Sequence, residues 1–401
     1  MTEINQDFHS IKITLHKYTF QCYQAHNLPP KMESFFLVDR QPVFTITPEK
    51  MQVGVPLLYS TNINNRHVNL PRRSPFVYEI PNGSVLGHSN IVINEHNQFS
   101  VEGLIFNPSI EDKWRGDELA QNFVITPDSN SINFKFNQSR IHKEAIHIGC
   151  HYNFGHWLFN HLGRLAFIQR FDYLRQLPLV LPNTATSKHL ECLNYFGYDA
   201  DRIILTENST LHRFEKLWSP IYPWYLASDN KVWFSSGVID FLRQGFETDK
   251  TEATDEGKRL LISRQNAKWR RLLNESDLFQ ALKPFNFELV KLENNSIASQ
   301  IEIASQAEII ISPTGTGSNI CIFAPANSTF VEVEPSTSKN ILSQQARECC
   351  HRIGQPFYKV TVAKEPLGDQ IPSNADFEHP FNADYKIDIA KMVEFLTCLN
   401  L

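Results

Sequence analysis

Along the C-terminal part of the chain, apolar runs typical of strands alternate with segments that have helical periodicity. Apolar runs that predict strands stand at 259–264, 287–293, 307–312, 329–335 and 357–362. Stretches with helical periodicity lie between them, and the last one, 387–399, predicts an amphipathic helix. Strands that alternate with helices imply βαβ units and a parallel sheet. We therefore expect an α/β domain over 258–386, followed by a helical segment 387–401.

The N-terminal part has a weaker pattern. Short strand-like runs such as 42–48 and 89–95, separated by Pro, Asn and Gly turns, predict a β-rich region over 1–145. Strand and helix patterns alternate over 146–247, where apolar stripes at 155–174 and 231–246 predict helices. A polar, charged segment at 248–258 is the predicted linker, so the first domain should cover 1–247.

The composition is that of a globular protein with two cores. Of 401 residues, 42% are hydrophobic and 20% are charged, and a net charge of −5 gives no basic field for nucleic acid. The seven cysteines are scattered and form no CxxC pair, which argues against structural zinc and a disulfide framework. The N-terminus lacks a signal-peptide pattern, and no apolar run reaches the roughly 18 residues of a membrane helix. We expect a cytoplasmic location, with which peripheral membrane association is compatible.

A glycine-rich segment, Ser312–Asn319, follows one of the most apolar strands and opens a short helix predicted at 318–324. Ligands of a doubly wound sheet bind beyond the carboxyl ends of its strands. Two glycines let the backbone approach a phosphate, which helix N–H groups and the hydroxyls of Thr316 and Ser318 can then bind. The segment is neither a Walker loop nor a GxGxxG fingerprint, so an ordinary strand–helix loop stays open as an alternative.

A basic segment follows the first strand of the same domain. Arg264, Lys268, Arg270 and Arg271 lie within eight residues. Arginine offers a fork of donors suited to phosphate oxygens, although a solvated basic loop is the ordinary alternative. Glu332 lies near the carboxyl end of its strand, where a carboxylate often bonds ribose hydroxyls in nucleotide sites.

A histidine-rich segment precedes the long helix predicted in the first domain. His151, His156 and His161 recur every five residues, which does not place them on one helix face. Zinc-binding HExxH geometry needs histidines four residues apart, so no metal site is expected. His156 and Asn160 are one helical turn apart and can face a cleft together. A histidine can serve as a general base, and a structural histidine is the alternative.

These segments stand in the order found in glycosyltransferase family 61, of the bacterial capsular polysaccharide biosynthesis type, which the chain resembles. The family block "N-Y-G-H-W-L-x-D-x-L-P-R-L" corresponds to Asn153–Leu165, with Asn160 in the place of the acid. The block "I-S-R-x-x-A-x-x-R-x-x-x-N-E" corresponds to Ile262–Glu275. A Gly-rich turn, an Asn, an apolar stretch and "P-G-S-x-V-I-E" correspond to Gly315–Glu332. Many members have His-Gly-Ala in that turn, where this chain has Pro-Thr-Gly-Thr.

The resemblance implies a GT-B-like architecture. In it, two Rossmann-like domains face a cleft, the C-terminal one binds most of a nucleotide sugar, and the last helix returns to the N-terminal one. The implied activity is that of an inverting hexosyl- or pentosyltransferase that works without a DxD metal motif. It would need no cofactor, because the nucleotide sugar, with a UDP-sugar favoured, is a substrate. The acceptor would be a growing bacterial surface glycan, in capsule or lipopolysaccharide, or a glycolipid.

Site residues follow from the same blocks. His156 is the expected catalytic base, with His151 next and Asn160 beside it. The expected donor-binding residues are Arg264, Lys268, Arg270, Thr314, Gly315, Thr316, Gly317, Ser318, Asn319 and Glu332. A transferase of a CMP-activated acidic sugar and a catalytically inactive nucleotide-binding assembly subunit remain as alternatives. A Rossmann oxidoreductase is a more distant one, because the GxGxxG turn and its acidic partner are missing.

Overall fold

The structure is a computed structural model. It describes residues 9–14, 21–23, 77–87, 89–95, 123–126, 131–169, 171–220, 222–226, 232–234, 236–248, 257–335, 344–362 and 384–399. The predicted strand 42–48 lies outside the described residues. The chain divides into two compact units, Met1–Asn230 and Lys231–Leu401. None of the helices within the described ranges is long and apolar enough to cross a bilayer.

The first unit is rich in strands. They are β1 (His9–Thr14), β2 (Gln21–Tyr23), β3 (Val77–Pro81), β4 (Ser84–Leu86), β5 (Val92–Ile93), β6 (Phe123–Thr126), β7 (Ser131–Phe136), β8 (Gln138–His147), β9 (Leu179–Pro182), β10 (Ile203–Thr206), β11 (Thr210–Pro220) and β12 (Trp224–Leu226). A small antiparallel sheet has the order β1-β7-β6. A larger mixed sheet has the order β10-β9-β8-β11-β3-β2, with β4 paired to β11 and β5 to β4.

The parallel part of the larger sheet sets the position of the first candidate site. β8 pairs in parallel with β9 on one side and with β11 on the other. The chain adds β9 and β10 on one side of β8 and then returns to place β11 on the other side, so the direction in which strands are added reverses at β8. In open α/β sheets such a reversal leaves a crevice beyond the carboxyl ends of the strands, which is where ligands bind. The segment that begins at Ile148 starts at this edge.

The helix predicted at 155–174 is interrupted, and this corrects the prediction. It consists of α1 (Phe154–His156), a π turn (Trp157–His161), a 3-10 turn (Leu162–Phe167) and, after a break, α2 (Asp172–Arg175). The Leu162 N–H bonds both Leu158 O and Trp157 O, so the hydrogen-bond ladder slips by one residue there. The helix α3 (Ser187–Tyr195) then lies between β9 and β10, as predicted.

The second unit is an α/β domain, which confirms the parallel sheet expected from its sequence. The strands are β13 (Val232–Phe234), β14 (Lys258–Ile262), β15 (Phe287–Val290), β16 (Ala307–Pro313), β17 (Thr329–Pro335) and β18 (Phe357–Val362). The helices are α4 (Ser236–Gly245), α5 (Glu275–Leu282), α6 (Ile297–Ser305), α7 (Gln344–Ile353) and α8 (Ile389–Cys398), with a 3-10 helix at Thr316–Phe323. The sheet order β15-β14-β16-β17-β18 is parallel throughout.

This sheet also has a reversal of winding. The chain passes from β14 outward to β15 and then returns to place β16 on the other side of β14. The switch point is therefore between β14 and β16, as in other sheets with this strand order. The segments that follow these two strands are the basic segment and the glycine-rich segment.

The last helix packs in the core of the second unit. Met392 and Leu396 of α8 are buried with Leu278 and Leu282 of α5 and with Val331 of the sheet. Burying two large apolar side chains here removes their surface from water, at about 25 cal/mol per Å² of apolar area. This packing differs from the return to the N-terminal domain that the family resemblance implied.

The boundary between the units also differs from the prediction. The unit boundary falls after Asn230, so α4 belongs to the second unit, and residues 232–234 form a strand where a helix was predicted. The buried guanidinium of Arg243 explains the attachment, because it donates to Ile322 O at 2.7 Å and Ala324 O at 2.8 Å. Such charge-assisted bonds fix α4 to this unit. Most of the predicted linker lies outside the described residues.

Candidate functional site

The basic and glycine-rich segments meet at the switch point of the second sheet. Leu261 of β14 and Ile311 of β16 are register partners, so the residues that follow each strand emerge side by side. Gly315 has a φ of 153°, and a β-carbon placed on it would lie 2.0 Å from Arg264 Nη1. The Arg264 guanidinium therefore lies against the bare backbone of the turn, and only glycine leaves room for it.

Arg264 is held from both ends. Its backbone N–H donates to Glu275 Oε2 at 2.7 Å, and Glu275 also accepts from the Ser263 hydroxyl at 2.5 Å. Its guanidinium donates to Trp269 O at 2.7 Å and to Arg270 O at 3.3 Å. Burial lowers the Arg264 pKa from its usual value, yet an arginine in this state stays protonated at neutral pH. The segment thus holds a fixed positive charge next to Gly315.

Arg270 and Lys268 occupy different environments. Burial and the neighbouring Arg264 charge together lower the pKa of Arg270 to about 10, while Tyr385 and Glu332 act in the opposite direction. Its φ of 52° shows that the backbone turns sharply there. Lys268 is exposed, with its Nζ 4.8 Å from the centre of the Trp269 ring. The structure therefore brings Arg264 and Arg270 together as a half-buried pair of cations, with Lys268 at the surface.

The glycine-rich turn is tightly packed beneath these cations. Its helix is a 3-10 helix that begins at Thr316, two residues earlier than predicted. The Thr314 N–H donates to Val333 O at 2.8 Å, which ties the turn to β17. A β-carbon on Gly317 would lie 3.1 Å from Ile262 Cγ2, so the helix packs closely on β14. Ser318 and Asn319 are buried, and the Ser318 hydroxyl lies 3.3 Å from that of Ser312.

Glu332 lies beneath the turn, on β17. It has no exposed surface and is the register partner of Ser312. Burial raises its pKa to about 7, while the hydroxyls of Ser318 and Thr314 act in the opposite direction. Its neighbour Glu334 pairs with Lys359 of β18. Glu332 is therefore a carboxyl group that changes charge near neutral pH, which an exposed acid would not do.

The histidine segment occupies the switch point of the first sheet. The Asn153 side chain caps α1 by accepting from the N–H groups of Gly155 at 3.0 Å and His156 at 3.4 Å. The His151 ring lies 4.7 Å from that of His156 and 6.3 Å from that of His161, measured between centres. The π turn therefore brings together three histidines that regular helical periodicity would separate.

Hydrogen bonds fix which ring nitrogens are basic. Nδ1 of His151 accepts from the Asn153 N–H at 2.9 Å, so its Nε2 carries the ring proton. Nδ1 of His161 lies 2.8 Å from Ile148 O, which can only accept, so its Nε2 is unprotonated. In its neutral state His151 therefore presents an N–H and no lone pair outside the Asn153 bond. In this tautomer His151 can therefore donate a proton and cannot accept one.

His156 pairs with Asn160, as their spacing predicts. Asn160 Nδ2 and His156 Nδ1 are 2.9 Å apart, and Asn160 is buried. Burial lowers the pKa of His156 to about 4, so the ring is neutral at pH 7. Asn160 Nδ2 can only donate, so Nδ1 accepts in this arrangement and Nε2 carries the ring proton. An amide turned so that its oxygen faces Nδ1 would place the proton on Nδ1 and make Nε2 the basic nitrogen. The orientation of Asn160 therefore controls the chemistry of His156.

Residues that the sequence analysis did not single out hold this segment in place. The buried Arg164 donates to Ile148 O and Pro220 O, both at 2.7 Å, and to the Ser219 hydroxyl at 2.8 Å. It thus joins the loop after β8 to the end of β11, across the switch point. In the sequence, Arg164 is a single cation within the apolar stripe of a predicted helix. A charged side chain is rarely buried unless it has partners, so this position was a signal for such bonds.

Asn90 fixes the same loop from another side. Its amide accepts from the Cys150 N–H at 2.9 Å and donates to Cys150 O at 2.8 Å. Gly149 has a φ of 66°, and a β-carbon on it would lie 2.4 Å from Asn90 Oδ1. No local pattern pointed to Asn90, because the contact joins distant parts of the chain. Within the described ranges, no group of three or more His, Cys, Asp or Glu side chains is placed to hold a metal ion.

No curated protein matches the chain. Among solved structures, rubredoxin oxygen:oxidoreductase from the anaerobe Desulfovibrio gigas is similar to it at 12% identity, with a TM-score of 0.23. The similarity covers 68% of this chain and 63% of that one, so the chain spans less than two thirds of that protein. A similarity at this level carries no argument about fold or function.

A family model does match. The model of glycosyltransferase 61 matches residues 154–331. The matched segment contains His156 and Asn160 of the first cluster and Arg264, Arg270 and Gly315 of the second. This confirms the resemblance drawn from the three sequence blocks, and a glycosyltransferase is what the family implies. Over residues 154–331 the chain is thus similar to glycosyltransferase family 61.

Proposed function

We propose that the protein is an inverting glycosyltransferase that transfers a sugar from a nucleotide-sugar donor to a bacterial surface glycan. The contact of Arg264 with Gly315 at the switch point of the second sheet is the observation that carries the proposal. It joins a half-buried cation to a glycine that has no side chain, next to a second half-buried cation, Arg270. Two neighbouring cations favour an anionic ligand, and a diphosphate fits both the charge and the close approach of backbone.

In the proposed reaction an acceptor hydroxyl attacks the anomeric carbon of the donor. A new bond forms between the acceptor oxygen and that carbon, and the bond from the carbon to the diphosphate oxygen breaks. With the Asn160 amide oxygen turned towards Nδ1–H, the hydroxyl proton passes to Nε2 of His156, and the nucleoside diphosphate leaves with its electron pair. Arg264 and Arg270 stabilise the charge that gathers on the leaving group. Removing one such contact typically costs on the order of 2–4 kcal/mol of transition-state stabilisation.

The finer parts of the proposal follow the family resemblance. The two units form a GT-B-like pair of Rossmann-like domains, the donor is a UDP-sugar, and Lys268, Thr316 and Asn319 contribute to its binding. The reaction takes place in the cytoplasm, with peripheral attachment to the inner membrane where glycolipid acceptors are met. The acceptor is a capsular or lipopolysaccharide glycan, and the transferred group is a hexosyl or pentosyl residue.

A second candidate is a nucleotide-binding assembly subunit without turnover. One observation favours it: Asn160 stands 2.9 Å from His156 where the family has an acid. A carboxylate there would stabilise the protonated imidazole, whereas an amide carries no charge to do so. The donor site would be retained in this case, because none of its residues lies in the histidine segment.

The test is a thermal-shift screen with UDP, GDP, CMP and their sugars, followed by a transfer assay with the nucleotide that binds. A ligand at 100 times its dissociation constant stabilises the folded state by roughly 2.7 kcal/mol, so a cognate nucleotide should raise the melting temperature. Binding of UDP with turnover supports the transferase. Binding without turnover supports the assembly subunit, preferential binding of CMP supports the monophosphate alternative, and no shift with any nucleotide contradicts the donor site.

A further inference from the structure

The buried carboxyl group of Glu332 has no role in the reaction as proposed. It lies on β17 in the second unit, without exposed surface, and is paired in register with Ser312 of β16. Neither carboxyl oxygen reaches a hydrogen-bond partner of ordinary geometry within the described residues, although the hydroxyls of Thr314 and Ser318 lie close enough to favour its charged form. A carboxyl group in such a place is costly to ionise, and its position needs an explanation.

Several elements around Glu332 contribute titratable or charged groups. The neighbouring positions on the sheet supply Glu334, which disfavours its ionisation, and Lys359, which favours it. Glu332 in turn interacts electrostatically with residues of the basic segment, the 3-10 helix, α7 and the segment before α8, namely Arg270, Cys321, Cys350 and Tyr385. Arg270 is the only arginine among these described neighbours, so Glu332 is coupled to the cation pair through Arg270.

The charges of this cluster compete. Arg264 and Arg270 are half-buried neighbours, so the charge of Arg264 disfavours that of Arg270, and an ionised Glu332 offsets part of that repulsion. A bound diphosphate would offset it more fully, because it brings at least two negative charges to the same cations. An ionised Glu332 would then repel the ligand across a medium of low dielectric constant, where such interactions are strong. Protonation of Glu332 removes the repulsion.

We propose that Glu332 is a positioning residue of the anion site that takes up a proton when a diphosphate binds between Arg264, Arg270 and the Gly315 turn. The proposal rests on the donor site described under the proposed function. Protonated Glu332 is neutral, can donate its O–H to a hydroxyl of the turn, and leaves both cations to the ligand. Ionised Glu332 competes for Arg270. The proton comes from solvent, and no covalent bond of the ligand changes.

Diphosphate affinity should therefore depend on pH in a defined direction. In the free protein the carboxyl group is mostly ionised above pH 7, because its pKa is about 7. Binding raises that pKa, so complex formation consumes protons just above neutrality and becomes weaker as pH rises further. Glu332→Gln supplies a permanently neutral group of the same shape, and its affinity should lack this component of the pH dependence.

The experiment measures the number of protons that binding consumes. Inorganic pyrophosphate is titrated calorimetrically into the full-length protein at about pH 7.5, in buffers of different ionisation enthalpy. The same titration is done with Glu332→Gln. The ionisation of pyrophosphate contributes equally to both titrations, so it cancels in the difference between wild type and variant. Wild type is expected to take up roughly half a proton more than Glu332→Gln, if binding raises the pKa by about one unit. Melting temperatures confirm that the variant is folded.

Each outcome bears on a different claim. If pyrophosphate does not bind to wild type, the anion site and the proposed function both fail. If it binds and wild type and Glu332→Gln consume equal numbers of protons, the anion site stands and the role of Glu332 is overturned. If Glu332→Gln does not fold, the titration of wild type is decisive. Its proton uptake is compared with the uptake expected from the ionisation of pyrophosphate itself. Uptake above that value supports the role of Glu332, and the absence of such an excess overturns it.

Discussion

Arg264 and Gly315 are in direct contact, and each depends on the identity of the other. A β-carbon on residue 315 would lie 2.0 Å from Arg264 Nη1 and 2.6 Å from its Cζ. The guanidinium cannot simply swing away, because Trp269 O and Arg270 O hold it. Two segments that are distant in sequence therefore form one surface at the end of β14 and β16.

Gly315→Ala should abolish this contact and weaken anion binding. The added methyl group must displace the guanidinium, and alanine is strained at a φ of 153°. We expect pyrophosphate affinity to fall roughly tenfold or more, equivalent to at least about 1.4 kcal/mol. The matched control is Gly354→Ala, which has a φ of 89° and no atom within 4 Å of its β-carbon, so only strain is added. Equal affinities for both variants, measured by calorimetry, would contradict the assignment.

Arg270→Ala should reduce turnover more than a cation removed elsewhere. The side chain is half-buried beside Arg264 and interacts with Glu332, which places its charge where the leaving group should lie. We expect a loss on the order of 2–4 kcal/mol in transition-state stabilisation, seen in kcat/KM. Lys283→Ala is the control, because it removes an exposed cation from the same unit. Similar kinetics for Arg270→Ala and wild type would remove Arg270 from the site.

Asn160→Asp should make His156 a stronger base. A carboxylate 2.9 Å from Nδ1 accepts the ring proton there and stabilises the protonated imidazole. The His156 pKa, which burial lowers to about 4, should then rise, and the acidic limb of kcat/KM should move to higher pH. A stronger base should also raise the plateau roughly tenfold or more. Asn160→Ala serves as control, and superimposable profiles for wild type and Asn160→Asp would speak against His156 as the base.

The sequence predicted the second unit better than the first, for a physical reason. Its βαβ pattern is local, and parallel strands place their carboxyl ends at one edge, so the approach of the basic and glycine-rich segments followed from strand order. The boundary after Asn230 did not follow, because Arg243 binds carbonyl groups at Ile322 and Ala324, far along the chain. Polarity of the segment 248–258 carried no information about that long-range attachment.

In the first unit, periodicity failed where the hydrogen-bond ladder changes. Apolar spacing at 155–174 is compatible with an α-helix, and nothing in it signals the extra residue of the π turn at Trp157–His161. The pairing of His156 with Asn160 could be predicted because it needs only one turn of helix. The gathering of His151 with His161 could not, since it depends on the π turn and on loop bonds made by Arg164 and Asn90.

Arg164→Lys should destabilise the protein although the charge is kept. The guanidinium donates to Ile148 O, Pro220 O and the Ser219 hydroxyl, and a lysine cannot reach all three. Leaving buried acceptors unpaired should cost about 3 kcal/mol, measured as a lower midpoint of urea unfolding. Arg175→Lys, on the exposed face of α2, should change stability by no more than about 0.5 kcal/mol. A small effect at Arg164 would show that the loop after β8 is held by its other bonds.

Stability should fall with rising pH in a way that depends on Glu332. Its pKa is raised from 4.5 to about 7 in the folded protein. The folded state therefore binds the proton more tightly, so the contribution is complete below the unfolded pKa and is lost as pH rises through the folded one. A shift of this size corresponds to roughly 3 kcal/mol. Glu332→Gln lacks this titration. The difference between its free energy of unfolding and that of wild type should therefore shift in favour of the variant from about pH 4.5 to 7 and stay constant above pH 7. Urea unfolding at several pH values measures both curves, and a constant difference across that range would mean that Glu332 does not titrate there.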